Sequence, residues 1–281
     1  MDAARQWSHT APRQVGVHRV HFIELHEQSW FPGFLRNDVT DTLQFGLNLS
    51  KAYAPIAPLL QGALDSTGSP SIVDLCSGGG GPWLDLAPRL RWKVGDAQVS
   101  LTDKYPNPGA FESAQAHSKI PIRFYRGSVD ARKVPAELDG FRTLFTSFHH
   151  FPFEEARAIV QNAVDAGKGI GIFEITRRRP STLLMMVFWS LAPLVFTLFV
   201  KPFRWSRLFY TYVIPVIPFV LLFDGVVSCL RTYRPAELRG MVETLDANGY
   251  RWDAGELRDG LLRPPVTYLI GYPMRDPAGA G

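Results

Sequence analysis

The chain has 281 residues, 46% of them apolar, with 30 lysines and arginines against 26 acids and a net charge of +4. That is long enough to bury a sizeable core, either as one α/β domain with an insertion or as two small domains. Two cysteines, Cys76 and Cys229, cannot make a disulfide framework, which suits a reducing compartment, and so mild a basic balance gives no ground for a nucleic-acid partner. The opening MDAARQWSHTAPRQ holds no apolar run, so no secretory signal peptide is expected.

Residues 1–20 read as a loosely held arm. The next forty read as one or more helices broken at Trp30-Phe31-Pro32-Gly33. Residues 71–82, SIVDLCSGGGGP, then read as a buried strand running into a turn of bare backbone. Ser71 to Leu75 supply a short, largely apolar run, and Gly78 to Gly81 remove every side chain from the bend. Four consecutive glycines are entropically costly to order, which implies a close ligand or a tight strand-to-helix contact. Pro82 suits the first position of the helix that follows. A strand, a glycine turn and a helix make the first half of a nucleotide-binding α/β unit. A dinucleotide fingerprint starting from Gly78 wants a third glycine where Trp83 stands, so NAD is disfavoured.

The stretch VDLCSGGGG resembles the first motif of class I S-adenosylmethionine-dependent methyltransferases, with Asp74 as the acid and Gly78 and Gly80 as the paired glycines. It departs from the common form at Cys76, where a glycine is usual, and a slightly wider turn is expected there. The resemblance covers roughly residues 70–176 and 232–273, and only the first stretch carries specific motifs. It implies an α/β fold with a Rossmann-like, doubly wound seven-stranded sheet, and S-adenosyl-L-methionine as the cofactor, held by Asp74, Gly78 and Gly80. It also implies a helical leader that forms part of a lid, for which His26, Glu27, Trp30 and Arg36 are candidates. Each of these four is equally readable as a solvated surface residue.

Farther on, AQVSLTDKYPNP reads as a second strand ending at Asp103, 22 residues past Gly81. In a doubly wound fold an acid at this place accepts hydrogen bonds from both ribose hydroxyls. Residues 122–130 read as a third strand and a loop, where the resemblance makes Asp130 the candidate contact to the adenine amino group; a solvated loop acid is the alternative. The fourth strand, read at 143–152, ends in His149 and His150 at the carboxyl edge of the sheet, where open α/β sheets place their chemistry. Either histidine can serve as a general base, or both simply pack at the strand end. An amphipathic helix closed by glycine and the strand GIGIFEIT follow. Five strands alternating with helices give a parallel α/β class. No histidine stands at ligand spacing with cysteine or carboxylate partners, so no metal is expected.

The pattern then changes. Arg177-Arg178-Arg179 precedes an uncharged run from Pro180 to Val200, the basic link KPFRWSR, and a second apolar run from Leu208 to Leu230 whose only charge is Asp224. Each run is long enough for a bilayer span of about 20 residues. The flanking arginines suit a cytoplasmic catalytic domain, but Lys201, Arg204 and Arg207 would lie on the disfavoured side of a two-span hairpin. A hairpin embedded in the near leaflet, its basic link snorkelling to headgroups, is therefore expected. A greasy lid over a lipophilic substrate, or a dimer contact, is the competing reading. Asp224 is expected to face a cavity or to pair with Arg231, seven residues on and on the same helical face. A capped helix and a terminal strand pair close the chain.

These readings divide the chain into an N-terminal arm and helical lid (1–69), a cofactor-binding core (70–176), a hydrophobic helical hairpin (177–231) and a C-terminal completion of the core (232–281). The expected function is S-adenosylmethionine-dependent methyl transfer to a small lipophilic or lipid acceptor at the cytoplasmic membrane face. Asp74, Gly78, Gly80, Asp103 and Asp130 would hold the cofactor, His149 or His150 would act as base, and Trp30, Asp224 and Arg231 would meet the substrate. A nicotinamide-dependent oxidoreductase and a non-catalytic membrane module that binds S-adenosylmethionine are the alternatives.

Overall fold

The strands Ser71–Leu75 (β1), Gln98–Leu101 (β2), Ile122–Phe124 (β3), Phe141–Phe145 (β4), Ile170–Glu174 (β5), Tyr250–Leu257 (β6) and Val266–Pro273 (β7) form one seven-stranded sheet. Its order is β3-β2-β1-β4-β5-β7-β6. The first five strands run parallel, and β7 runs antiparallel to both of its neighbours. The computed structural model describes residues 18–92, 98–260 and 264–274. Most of the arm read at 1–20 lies outside the described residues.

Why these segments are strands is plain from their burial. β1, β4 and β5 are buried along nearly their whole length because both of their faces are covered, as a parallel sheet requires, so that even Asp74, Arg142, Thr143 and Glu174 within them are buried. Ile72 joins Trp83, Phe111, Phe141 and Phe173 on one side of the sheet. Val73 and Leu75 join Leu144, Ile172 and Met241 on the other. The strand order reverses at β1, whose neighbours are β2 and β4, so a crevice opens at the carboxyl ends of these strands.

The helices are Gly33–Leu49 (α1), Ala57–Thr67 (α2), Trp83–Leu86 (α3), Pro108–His117 (α4), Phe153–Asp165 (α5), Pro180–Leu191 (α6), Pro193–Phe196 (α7), Trp205–Leu208 (α8), Val216–Arg231 (α9) and Pro235–Val242 (α10). Their ends follow local chemistry. α2 stops on Gly68, whose φ of +60° is the left-handed cap that glycine takes without strain. α5 carries Glu154 and Glu155 in its first turn, where the helix dipole favours acids. α10 starts with Pro235, and the Glu237 carboxylate accepts the Arg234 N–H at 2.8 Å.

Two sequence expectations are corrected here. The fourth strand ends at Phe145 rather than at 152, because Thr146 turns the chain into the left-handed region at φ +42° and residues 148–150 wind into a 3₁₀ turn. Arg204 and Arg207 of the basic link do not snorkel toward headgroups, whereas Lys201 is exposed. Arg207 is buried, its Nη2 2.6 Å from Asp41 Oδ2 on α1 and its Nη1 3.0 Å from the carbonyls of Val200 and Pro202. Arg204 Nε lies 3.3 Å from the same Asp41 oxygen and 3.7 Å from Asp38 Oδ1. Two buried acids on one face of α1 hold these arginines in place of solvent or phosphate.

The apolar stretch itself is bent. Pro180–Phe199 is a 20-residue helical run of mean hydropathy 2.0, whereas the second run turns by 80° between Trp205–Val213 and Val216–Arg231. Pro215 sits at that bend, where it cannot donate to a continuing helix. α6 packs along α9. Ile217 and Val220 of α9 share a small core with Phe31, Leu35 and Val39, so the N-terminal leader and the apolar segment are built as one unit over the sheet.

Candidate active site

A turn of bare backbone is entropically costly to order without anchors, and Asp103 is one of them. Its Oδ2 accepts the Gly78 N–H at 2.8 Å and its Oδ1 accepts the Tyr105 N–H at 2.8 Å. Gly78, Gly80 and Gly81 all take positive φ, and a Cβ on Gly81 would lie 2.6 Å from Asp74 Oδ2. A Cβ on Gly79 would lie 2.7 Å from the Thr40 carbonyl, so α1 lies directly on the turn. Cys76 takes φ +57°, the conformation for which a glycine is the unstrained choice. Asp74 is buried at the end of β1 and accepts the Thr143 hydroxyl at 2.7 Å. Burial outweighs its hydrogen bonds and lifts its pKa to about 6.

Trp83, the residue that argues against NAD, does not block the crevice. It is fully buried in the core with its ring edge-on to Phe145. The crevice opens into a cavity of about 450 Å³. One end is lined by Asp74, Ser77, Gly78, Gly79, Gly81 and Asp103, and the other by apolar side chains, among them Met185, Met186, Trp189, Phe196 and Leu221 from the segment after β5. Asp130 lies in a neighbouring hollow of about 180 Å³, which shares Cys76, Lys104, Phe151 and Glu155 with the main cavity. Its carboxylate is gripped by Arg132 at 2.6 Å.

The same cavity is lined by a cluster of histidines and acids. His149 is buried, with Nδ1 2.7 Å from Glu174 Oε2 and Nε2 3.4 Å from Glu24 Oε1. Burial opposes its charge, yet the two carboxylates prevail and hold its pKa at about 9. His150 has Nδ1 against Glu27 and Nε2 3.6 Å from Glu24 Oε2. Glu24 is buried, which alone would raise its pKa, but His150 and His149 pull it well below the usual carboxylate range. Glu27 is held at about 2 in the same way, against burial, chiefly by His150.

His26, Glu27 and Arg36 line the cavity, as candidates for a lid should. Trp30 does not: it is 65% exposed and is not among the lining residues. Asp224 does face the cavity, but its pairing with Arg231 is overturned. Its carboxylate accepts the N–H groups of Leu25 (2.7 Å) and His26 (3.1 Å) and contacts His26 Nδ1 at 2.7 Å. Arg231 is buried and pairs with Glu27 at 2.7 Å and Glu24 at 3.3 Å, and its guanidinium also meets the carbonyls of His149 and His150. Sequence reasoning missed Glu24 and Glu174. An acid closing β5 beside paired histidines was a usable signal for Glu174; Glu24, 125 positions before His149, offered none.

Comparison of the whole fold with solved structures gives the plantazolicin methyltransferase BpumL in complex with SAH at TM-score 0.57 and 9% identity, with 89% of this chain and 94% of that one aligned. The chain has the class I methyltransferase fold. Lower similarity is found to magnesium protoporphyrin IX methyltransferase from Synechocystis PCC 6803 in complex with SAH (TM-score 0.41, 13% identity, 79% of this chain and 84% of that one). An O-methyltransferase family protein from Burkholderia thailandensis aligns at TM-score 0.45 and 16% identity over 83% of this chain, which spans 59% of that longer one. No family model and no curated protein matches the sequence.

Proposed function

We propose that the protein is an S-adenosylmethionine-dependent methyltransferase whose acceptor is a small lipophilic molecule or a lipid. The observation that carries this reading is the cavity, in which a glycine turn anchored by Asp103 runs without a break into a pocket of apolar side chains. Gly78, Asp74 and Asp103 hold the cofactor's amino-acid and ribose portions, and Asp130 marks the adenine end through the adjoining hollow; Gly80, expected to share this role, is not among the cavity-lining residues and packs against Ala114 of α4 instead. The sulfonium is already activated, so the protein's main contribution is to align nucleophile, methyl carbon and sulfur and to exclude water. Activation of the acceptor falls to the His149, His150 and Glu24 cluster. Asp224 positions the lid by fixing the backbone at Leu25 and His26.

Membrane association belongs to the same proposal. Leu184, Phe188, Val195, Phe199, Trp205 and Val213 are each more than half exposed, a density of large apolar groups that water-facing helices do not carry. The flanking arginines do not argue for it: Arg177 and Arg179 face Glu256, and Arg178 pairs with Glu237. We therefore rest the membrane reading on the apolar face alone, and propose a hairpin embedded in one leaflet without spanning the bilayer. The decisive assay incubates the protein with S-adenosylmethionine labelled in its methyl group and a cell lipid extract. Label moving into the organic phase in a protein-dependent manner supports the proposal; label confined to the aqueous phase with every acceptor fraction rejects the lipophilic acceptor.

A further inference from the structure

The side chains of Glu24, His149 and His150 each offer a ligand atom within 4.8 Å of the others, on the wall of the cavity. How each is held matters more than the proximity. His149 Nδ1 and His150 Nδ1 both stand against carboxylates, Glu174 and Glu27, so each Nδ1 keeps its hydrogen and each Nε2, turned toward Glu24, is the nitrogen whose proton a bound cation would displace. A carboxylate behind each imidazole is the arrangement that orients metal-binding histidines and raises their basicity. Glu24 Oε1 is occupied, accepting Ser228 Oγ at 3.0 Å with Arg231 Nη1 at 3.3 Å. Its Oε2 and His149 Nε2 are buried yet make no hydrogen bond, an expensive arrangement unless something binds between them.

The spacing fits. His150 Nε2 lies 3.6 Å from Glu24 Oε2, close to the roughly 3.3 Å that separates neighbouring ligands around a tetrahedral zinc ion bound at about 2.0–2.1 Å, while His149 Nε2, 3.4 Å from the other Glu24 oxygen, completes a set of ligand atoms that all lie within 4.8 Å of one another. Charge fits as well. Glu24, Glu27, Glu174 and Asp224 are four carboxylates in one network, and the guanidinium in contact with them is that of Arg231. Without a metal, protonated His149 offsets part of this negative charge; a divalent cation that displaces the imidazole proton would supply the positive charge in its place.

We propose that Glu24, His149 and His150 bind one divalent transition-metal ion of the zinc class, through Glu24 Oε2 and the two Nε2 atoms, with a coordination position left open to the cavity. Two imidazoles and one carboxylate with a free position are the donor set of a catalytic rather than a structural site. Resting on the proposed methyl transfer, the open position is where an acceptor oxygen would dock, so that the ion, not a free imidazole, activates it.

The test uses the full chain stripped with a chelator and titrated with Zn²⁺ against a chromophoric competitor, and separately with Co²⁺ while visible absorption is followed. One tightly bound zinc per chain and a Co²⁺ spectrum of low coordination number are expected. Glu24→Gln and His150→Gln should each abolish competition, and Glu27→Gln, which frees the His150 ring, should weaken binding by roughly 10- to 100-fold. His117→Gln, at an exposed histidine on α4, should change nothing. If the unmodified chain shows no Co²⁺ absorption, or binds zinc no better than its Glu24→Gln and His150→Gln variants, the site is a proton-held ion network and the inference is wrong. The measurement in the unmodified chain stands even where a variant fails to fold. Titration with S-adenosylhomocysteine separates the two claims: cofactor binding without zinc overturns only the metal site, and zinc without cofactor overturns only the methyltransferase reading.

Discussion

Cys76 shows how a single residue reports on the backbone around it. It holds a left-handed conformation, φ +57°, at the foot of the glycine turn. Such a conformation costs an L-residue roughly 1–2 kcal/mol. Cys76→Gly should therefore leave stability within about 1 kcal/mol of the parent, whereas Cys76→Val, β-branched and unable to adopt the conformation cheaply, should lose about 2 kcal/mol or more in urea unfolding. Equal effects of the two would mean that the turn is not strained. Asp74 makes the second prediction at this scale. Burial lifts its pKa from 3.8 to about 6, so the folded state holds the proton more tightly than the unfolded chain. The associated stability, of order 3 kcal/mol, is fully present below about pH 4 and is lost as pH rises through about 6. Asp74→Asn, which keeps a group that can accept the Thr143 hydroxyl, should flatten the fall in stability between pH 4 and 7. An unchanged slope would show that Asp74 is not the group responsible.

Between elements, the decisive contacts are the ones that tie the apolar segment to α1. Asp41 is buried and bonded to Arg207 at 2.6 Å and to Asn107 at 2.8 Å. Removing one partner of such a pair leaves an uncompensated charge, typically at a cost of about 3–5 kcal/mol. Because Arg204 Nε remains 3.3 Å from the same Asp41 oxygen, Arg207→Met should destabilise the protein by the lower end of that range, about 3 kcal/mol, and the double variant Asp41→Asn/Arg207→Met should recover a good part of it. Additive losses in the double-mutant cycle would count against the pair. These contacts also explain what was legible in the sequence. Parallel strands announce themselves as short apolar runs, and β1, β2, β3 and β5 stand where those runs place them. β4 ended early because nothing in F-T-S-F-H-H signals that Thr146 leaves the strand conformation. The fate of Arg204 and Arg207 was hidden because charge-based topology rules assume solvent as the partner. The missed clue was Asp38 and Asp41, three apart on α1 and thus neighbours on one helix face. Asp224 and Arg231 do share a face of α9, but helical spacing says nothing of the Leu25 and His26 amides that capture the carboxylate first.

At the scale of the whole molecule, the sheet supplies the crevice while the leader and the apolar segment together roof it, so the polar and apolar linings of the cavity come from different parts of the chain. The histidine and carboxylate cluster was invisible to sequence spacing for the same reason, since Glu24, His149 and Glu174 meet only after the leader folds over the sheet. The exposed face of α6 and the turn at α8 give one test of how the molecule sits in the cell. The protein should float with anionic phospholipid vesicles, and the triple variant Phe188→Ser/Phe199→Ser/Trp205→Ser should remain in the soluble fraction with its fold intact by circular dichroism. Undiminished flotation of the triple variant would remove the apolar face as the membrane contact. The central claim, that the anchored glycine turn cradles an adenosyl group, is tested most directly by calorimetric titration with S-adenosylhomocysteine, comparing the parent protein with Asp103→Ala. The account predicts one saturable site in the parent and binding weakened by roughly 10- to 100-fold in the variant, the loss expected for charged hydrogen bonds. No heat of binding in the parent, or equal affinity in the two proteins, would contradict it.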